Sequence, residues 1–521
     1  MSRKLGILLC VLGLAAVVAH LLGWYLPTLG WFYGFESMDA DLVKASFWTK
    51  NRGDIVGHFL AVATIATGVV IILRPPHANP HTQRQIKRFK SMGRGWTSFL
   101  IIIALIVLAL FDQALVGKRA LAVKYGGAWK FPAFQEENMT EEDFGGVGKE
   151  EANYRELKKR FAAEGKGNRV LLPLVPWDPT YDSDNELREQ LELRDGLYYK
   201  KGSNNPYSGL GYRYYADDET RRFSMQKFRK GLGKGREELY NRTGDLAVVY
   251  NWNDGVRYPE PSMGLELAAE FEEIETTDLY AMTFAPLPPS WENRHFLGTD
   301  SRGWDVLAQL YGGLQVVMQA AVIYLIVTYA IGLTIGCIMG YFGGVVDITL
   351  QRFIEILANV PFLYVVIIIA DRIGRDRITL VTILLVICIF SWIGTTYYMR
   401  TATYREKAKD YVSAARLLGA SPLRVIFRHV LPNTISIVVT LLPFSVAAII
   451  TSLTALDFIG FGLPEQYPSW GRLLSDGVTY VDKPWIVSSV FVGMVAVLLL
   501  ITFVGEAIRE AFDPKKFTTY R

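Results

Sequence analysis

One stretch of this chain decides its fold, and it reads Tyr411-Val-Ser-Ala-Ala-Arg-Leu-Leu-Gly-Ala-Ser-Pro-Leu-Arg-Val-Ile-Phe-Arg-His-Val-Leu-Pro432. It begins with small residues, stops at Gly419, restarts at Ser421-Pro422 and continues as a basic amphipathic segment. Glycine suits the end of a helix, and proline suits the first turn of the next one. Because small side chains let another surface approach the backbone closely, the stretch predicts a helix–turn–helix that docks a partner.

The apolar residues around this stretch gather in runs near the length that a bilayer demands. Half of the 521 residues are hydrophobic, and a helix needs roughly 20 residues at about 1.5 Å each to cross the hydrocarbon core. Backbone polar groups must be paired there, so each run predicts a helix. We predict eight spans, at residues 5–27, 55–73, 96–111, 314–341, 350–370, 378–399, 434–458 and 486–508.

Two basic loops orient these spans. Residues 74–95 carry six basic side chains and no acid, and residues 400–428 carry seven against two acids. Loops of this kind stay in the cytoplasm, so we expect both termini to be cytoplasmic. The first run could instead be a cleaved signal peptide, but it is long for that role and no clear small-x-small site follows it.

The segment 117–302 then falls on the outer side of the membrane. It is polar, mixes both charge signs and contains aromatic residues such as Trp177, Phe223 and Trp252. We predict a helix at 150–164, a strand at 247–250, and a compact extracytoplasmic domain that serves as a platform for a binding protein. The predicted division of the chain is 1–95 (two extra helices and a basic loop), 96–116 (first core helix), 117–302 (insertion) and 303–514 (permease core).

The docking stretch resembles a loop of ABC importer permeases, which has the form Glu-Ala-Ala, three residues, Gly, nine residues, Ile-x-Leu-Pro. Five residues match at that spacing, although Ser413 replaces the usual Glu and His429 the usual Ile. In the family this loop is the coupling helix that inserts into a groove of the ATPase subunit. The resemblance assigns this role to Ala414, Ala415, Leu418, Gly419, Ala420, Pro422, Leu431 and Pro432.

Further motifs resemble the dipeptide and oligopeptide subgroup. The segment from His295 to Val306 is similar to its Leu-Gly-Thr-Asp-x-x-Gly-Arg-Asp-Val element, with Trp304 in place of Arg. Residues 288–293 and 456–464 look like those of microcin C-type peptide importer permeases. The resemblance implies a periplasmic turn at the pore entrance, formed by Gly298, Thr299, Asp300, Gly303 and Asp305.

The resemblance as a whole implies an all-α polytopic membrane protein. It would be a type-I ABC importer transmembrane domain with two added N-terminal helices and a large inserted extracytoplasmic domain. Its expected partners are a second homologous permease, two cytoplasmic ATPases, an extracytoplasmic substrate-binding protein and membrane lipid. The permease would move peptides across a bacterial inner membrane by alternating access. ATP and Mg would be used by the partner ATPases, and no cofactor by this chain.

Several side chains have both a functional and a structural interpretation. Asp457 and Trp470 are candidates for the translocation path. Acids within a membrane usually face a cavity, although Asp457 lies close enough to the membrane interface to be solvated instead. Trp470 lies in residues 468–471, which resemble the peptide subgroup. The spacing of Gly332, Gly336 and Gly340 favours helix packing over a pore lining. Arg352 and Glu355, three residues apart, are expected to pair with each other or with lipid headgroups.

Other function classes find little support in the sequence. The chain has no phosphate-binding Gly-x-x-x-x-Gly-Lys-Ser/Thr loop and no His-Glu-x-x-His helix, so we expect no catalytic or metal site. The formal net charge of +4 is too small to favour nucleic-acid binding. Two alternatives remain: a channel that needs no ATPase, and a membrane-anchored sensor or enzyme whose function lies in segment 117–302.

Overall fold

The computed structural model describes residues 2–22, 52–73, 80–109, 111, 114–135, 138–146, 151–180, 182–183, 186–201, 203–374 and 378–512. The chain divides into two compact units. The first, a helical unit, comprises residues 1–182, 290–297 and 304–521; the second, a sheet unit, comprises residues 183–289 and 298–303. Parts of the predicted first span (23–27) and of the first basic loop (74–79) lie outside the described residues.

The helical unit begins with α1 (Ser2–Leu21), α2 (Arg52–Leu73), α3 (Pro80–Ser91) and α4 (Gly93–Ala109). Helices α1 and α2 pack through glycines. A Cβ atom on Gly6 would lie 2.8 Å from the Gly68 carbonyl oxygen, and one on Gly68 would lie 2.7 Å from the Gly6 carbonyl oxygen. Small residues therefore allow these two backbones to touch, as in other membrane helix pairs.

The helices that follow segment 117–302 form the larger part of this unit. They are α7 (Val306–Phe342), α8 (Gly344–Ala358), α9 (Phe362–Ile373), α10 (Leu380–Lys407), α11 (Asp410–Leu417), α12 (Pro422–Val425), α13 (Leu431–Phe458), α14 (Trp470–Thr479) and α15 (Pro484–Phe512). A π-helical turn, Ile426–Val430, joins α12 to α13. The core lies between α7, α10, α13, α14 and α15.

Glycines let α7 approach α10 closely. A Cβ atom on Gly332 would lie 2.8 Å from Thr395 Cβ, and one on Gly336 would lie 2.6 Å from the Thr396 carbonyl oxygen. Gly340 repeats this arrangement one turn further along. The prediction of helix packing for these three glycines is confirmed.

The predicted spans correspond to helices, with one correction. Within the described residues, four helices are long and apolar enough to cross a membrane, or six if two bent helix pairs each count as one span. The predicted continuous span 350–370 is wrong: α8 and α9 are separate and bent by 69°. The reason is Pro361, which lacks an amide hydrogen and disfavours a helical conformation at Val360.

The expectation of an all-α chain is wrong within segment 117–302, which contains most of the β structure. A small antiparallel sheet in the order β2-β1-β3 belongs to the helical unit; its strands are β1 (Ala122–Tyr125), β2 (Ala128–Lys130) and β3 (Arg169–Leu171). It packs near α5 (Tyr154–Glu164), where residues 154–164 of the predicted helix 150–164 are confirmed. Asn153 caps this helix through its side-chain oxygen.

The sheet unit holds an eight-stranded antiparallel sheet in the order β10-β9-β8-β7-β6-β11-β4-β5. Its strands are β4 (Glu186–Arg194), β5 (Leu197–Lys200), β6 (Gly209–Tyr215), β7 (Asp218–Arg229), β8 (Leu232–Tyr240), β9 (Leu246–Asn253), β10 (Val256–Arg257) and β11 (Tyr280–Phe284). The predicted strand 247–250 is confirmed within β9. A short helix, α6 (Ala268–Glu272), packs through Phe271 against one face of this sheet.

Candidate functional site

The predicted docking stretch folds as the short helix α11, closed by a glycine turn. Gly419 has a φ of +80°, which glycine adopts without strain. The Ala420 amide donates to the Ala415 carbonyl at 3.0 Å, and the Gly419 amide donates to the Arg416 carbonyl at 2.9 Å. These two bonds form a Schellman motif, which satisfies the last carbonyls of the helix. The turn redirects the chain to Pro422, the first residue of α12.

The inner side of α11 is fixed to the helix bundle. Val412 and Ala415 are buried in a cluster with residues of α7, α10 and α13. Arg416 Nε donates to the Tyr341 hydroxyl at 3.1 Å, and the guanidinium carbon lies 4.7 Å from the centroid of that ring. Because Tyr341 belongs to α7, this contact joins α11 to that long helix.

The outer side of α11 presents two leucines. Leu417 is 89% exposed and Leu418 is 88% exposed, and Ala414 beside them is also exposed. Leu417 was missed in the sequence, although two adjacent leucines in a basic surface stretch could have marked it. Leu431 and Pro432 begin α13, and the proline occupies the first turn, where its missing amide hydrogen costs little.

A bidentate ion pair holds α8 against the end of α10 that leads into α11. Arg400 donates from Nε and Nη2 to the two carboxylate oxygens of Asp347, each at 2.6 Å. The Tyr404 hydroxyl also donates to this carboxylate, at 2.8 Å. From the sequence, Arg400 was only one of the basic residues of a cytoplasmic loop. Its partner Asp347 could not be predicted because it lies 53 residues away along the chain.

Tyr411 fixes the start of α11 in a similar way. Its hydroxyl donates to Glu406 Oε2 at 2.6 Å, and Lys409 pairs with the same carboxylate at 2.7 Å. Burial, together with this carboxylate, raises the pKa of Tyr411 to about 12. The hydroxyl therefore remains a hydrogen-bond donor at any physiological pH.

Four of the predicted entrance residues lie in one turn of the sheet unit. The Thr299 hydroxyl accepts a hydrogen bond from the Leu287 amide at 2.7 Å. Asp300 accepts from the Arg302 amide at 2.9 Å and pairs with its guanidinium at 2.8 Å. Gly298 and Gly303 have φ values of +76° and +78°. The turn is thus rigid, and Thr299 and Asp300 are fully buried.

The fifth residue, Asp305, lies in the helical unit and caps α7. One carboxylate oxygen accepts from the Ala308 amide at 2.7 Å, and the other is 2.8 Å from His295 Nδ1. His295 stacks on Trp177, with ring centroids 4.1 Å apart, and the Arg155 guanidinium lies 3.8 Å from the Trp177 centroid. This buried stack, which the sequence did not indicate, fixes the start of α7 to the segment that follows α5.

Asp457 and Trp470 occupy buried structural positions. The Asp457 carboxylate accepts from the Leu463 amide at 2.6 Å and from the Ser469 hydroxyl. Trp470 Nε1 donates to the Leu310 carbonyl at 2.9 Å. These contacts join the end of α13 to α14 and α7. A place for either residue on the translocation path stays a prediction.

A cavity of about 890 Å³ opens at the ends of α10, α13 and α15. Its lining includes Arg405, Asn433, Ser436, Thr440 and Arg509. Asn433, Ser436 and Thr440 lie about one helical turn apart on α13, so they form a polar stripe in an otherwise apolar helix. Polar side chains within a membrane helix usually face such a cavity.

Comparisons with known proteins agree with this architecture. Residues 332–518, which include the docking stretch, match the family model described as "Binding-protein-dependent transport system inner membrane component". The peptidoglycan transport system permease protein YejE of Agrobacterium fabrum is 29% identical over 451 residues, covering 86% of this chain and 97% of that protein. The oligopeptide transport system permease protein OppC of Haemophilus influenzae is 32% identical over 242 residues, covering 46% of this chain and 76% of that protein.

Among solved structures, a chain of the MetNI methionine ABC transporter is 17% identical with a TM-score of 0.33, covering 40% of this chain and 97% of that chain. The apolar helices, together with the family match, identify a multi-pass membrane subunit of a transporter. The chain belongs to the family of inner-membrane components of binding-protein-dependent transport systems, the ABC importer permeases. The resemblance to the ABC importer permeases is confirmed, and a channel or sensor is not favoured.

Proposed function

We propose that this permease moves peptides or peptide-like solutes across the bacterial inner membrane. The relatives that match it are named for peptidoglycan and oligopeptide transport. The cavity at the ends of α10, α13 and α15 has a volume suited to a short peptide, and its lining combines apolar side chains with charges of both signs. It would serve as part of the cytoplasmic exit, with Asp457 at the opposite end of α13 and Trp470 joining α14 to α7.

The main support for a role in ATPase coupling is the exposed pair Leu417 and Leu418 at the end of α11, a helix that is fixed to the bundle. Two ATPase subunits would bind ATP and Mg, and each permease would insert one such pair into an ATPase groove. Burying two leucines favours that contact. Because Arg416 is fixed to Tyr341 and the Asp347–Arg400 pair ties α8 to α10, ATPase closure would move α7, α8 and α10 together. A second homologous permease would complete the pore.

We further propose that both termini are cytoplasmic and that the sheet unit is extracytoplasmic. The two basic loops at 74–95 and 400–428 support this orientation. The turn at Gly298–Gly303 would then lie on the outer side of the membrane. The buried cap at Asp305 would mark the outer end of α7. A substrate-binding protein would deliver the solute on that side.

Reconstitution tests the proposal. The chain is purified with its partner permease and ATPases, placed in proteoliposomes, and supplied with the binding protein and a labelled oligopeptide. We expect uptake that requires ATP and the binding protein. Uptake that does not require ATP would contradict the proposal. So would a transport-competent complex that contains no ATPase subunit.

A further inference from the structure

A short basic helix, α3, stands at the end of the apolar helix α4 and is bent by 95° from it. Because α4 belongs to a membrane span, a bend of this size lays α3 nearly parallel to the membrane surface. Four of the twelve residues of α3 are Lys or Arg, and none is acidic. Charged side chains are costly in hydrocarbon, so α3 must lie at the membrane interface rather than within the bilayer core.

Aromatic side chains fill the inner side of the bend. The ring centroid of Phe89 lies 6.0 Å from that of Trp96 and 5.7 Å from that of Phe99, both edge to face. Trp96 stacks on Phe99 with centroids 5.5 Å apart. Ile86, one turn before Phe89, is 39% exposed and continues this apolar side. Helices that lie in a membrane interface carry such an apolar side toward the acyl chains.

The other side of α3 carries positive charge. Arg84, Lys87 and Arg88 are three and four residues apart, so they share one side of the helix. Arg88 lies 3.7 Å from Glu510 of α15. Arg84 and Lys87 are exposed, as is Arg94 in the first turn of α4. Within the described part of the chain, these three exposed cations form no ion pair.

Helix α15 holds the bent pair in place. Gly95 of α4 leaves no room for a Cβ atom beside Ala507 of α15. Gln85 of α3 is only 4% exposed, on the side of the helix that leads to Phe89. Together with the Arg88–Glu510 pair, these contacts fix α3 to the bundle. The three exposed cations are therefore held at the level where α4 leaves the bilayer.

We propose that α3 binds the anionic headgroups of phospholipids in the adjacent leaflet, through Arg84, Lys87 and Arg94. Clusters of Lys and Arg next to a membrane helix, or on an amphipathic helix, attract acidic lipids. Lys90 adds a fourth cation, with its ammonium 5.2 Å from the centroid of Trp96. Tryptophan is enriched at the headgroup level, which supports this placement.

A lipid explains both sides of α3. An acidic surface of a protein partner would account for the exposed cations but not for the apolar inner side of the bend. The inference goes beyond the proposed function, because it does not depend on which solute the permease moves.

The test measures phospholipid binding to the assembled transporter in a neutral detergent by native mass spectrometry. The probes are phosphatidylglycerol, which is anionic, and phosphatidylcholine with the same acyl chains, which has no net charge. The same spectra show whether the ATPase subunits remain bound.

The variant removes the three exposed cations, and the control removes the same charge from exposed positions of the sheet unit. The variant combines Arg84→Gln, Lys87→Gln and Arg94→Gln, and the control combines Arg229→Gln, Lys230→Gln and Arg236→Gln. Thermal unfolding confirms that both proteins are folded.

We expect the variant to bind phosphatidylglycerol about tenfold more weakly than wild type, and the difference to shrink at high salt. Binding of phosphatidylcholine should not change, and the control should differ from wild type by less than about twofold. Equal phosphatidylglycerol binding by variant and wild type, or an equal loss in the control, would overturn the inference.

Two further outcomes would replace the lipid by another ligand. If millimolar inorganic phosphate displaces phosphatidylglycerol from wild type, the cations form a site for free phosphate. If the variant keeps its lipid but loses the ATPase subunits, they dock a protein partner instead.

Discussion

Replacing Leu417 and Leu418 by serine should uncouple the permease from its ATPases. The two side chains are 89% and 88% exposed, so nearly all of their apolar surface is available for burial in a groove. Full burial of a leucine contributes about 1.5–3 kcal/mol, which sets an upper limit of about 3–6 kcal/mol for the pair. Because part of this is offset by ordering costs, we expect a loss of about 3 kcal/mol, or roughly 100-fold in affinity.

Because both leucines are exposed, replacing them should change docking without changing the stability of the fold. Surface substitutions usually change the free energy of unfolding by less than about 0.5 kcal/mol, so the variant should stay folded in the membrane. Gly419→Arg should also abolish transport, but it forces a bulky residue to a φ of +80° and so disturbs the Schellman turn as well. The Leu417/Leu418 variant introduces no backbone strain, so a loss of activity in it can be attributed to lost docking.

The assay is co-purification of the ATPases from detergent, followed by binding-protein-stimulated ATP turnover in nanodiscs. Leu265→Ser is the matched control, since Leu265 is 68% exposed but lies in the sheet unit. The control should retain both activities. If the Leu417/Leu418 variant keeps normal ATPase binding and turnover, the coupling assignment is refuted.

Three further predictions concern topology and packing. Cysteines introduced at Ser91 and Ser203 should be labelled from opposite sides of the membrane, and labelling of both from outside would contradict the proposed orientation. Arg400→Met should lower the free energy of unfolding by about 3 kcal/mol, because the buried Asp347 carboxylate loses its cationic partner. Arg352→Met, which removes the exposed pair with Glu355 at 2.6 Å, should lower it by less than about 1 kcal/mol. Thermal unfolding in detergent compares the two variants. Gly336→Leu should lower the yield of folded protein on size-exclusion chromatography, since even its Cβ would lie 2.6 Å from a carbonyl oxygen.

The sequence by itself determined the apolar helices, apart from the break at Pro361, and the helix–turn–helix of the docking stretch. Both follow from short-range rules: an apolar run must form a helix in lipid, and Gly419 and Pro422 end one helix and start the next. The expected pairing of Arg352 with Glu355 is local in the same way, and the structure confirms it. Such features depend on neighbours within a few residues, so they can be predicted from the local sequence.

Only the tertiary structure decided how segment 117–302 is divided and which residues fix the pore helix. The stack that joins Arg155, Trp177, His295 and Asp305 brings together residues far apart along the chain. By its sequence alone, Asp457 could face the translocation path or be solvated near the membrane interface. The structure buries it and gives it a hydrogen bond from Ser469. The physical reason is that these contacts depend on long-range packing and strand register, which local periodicity does not encode.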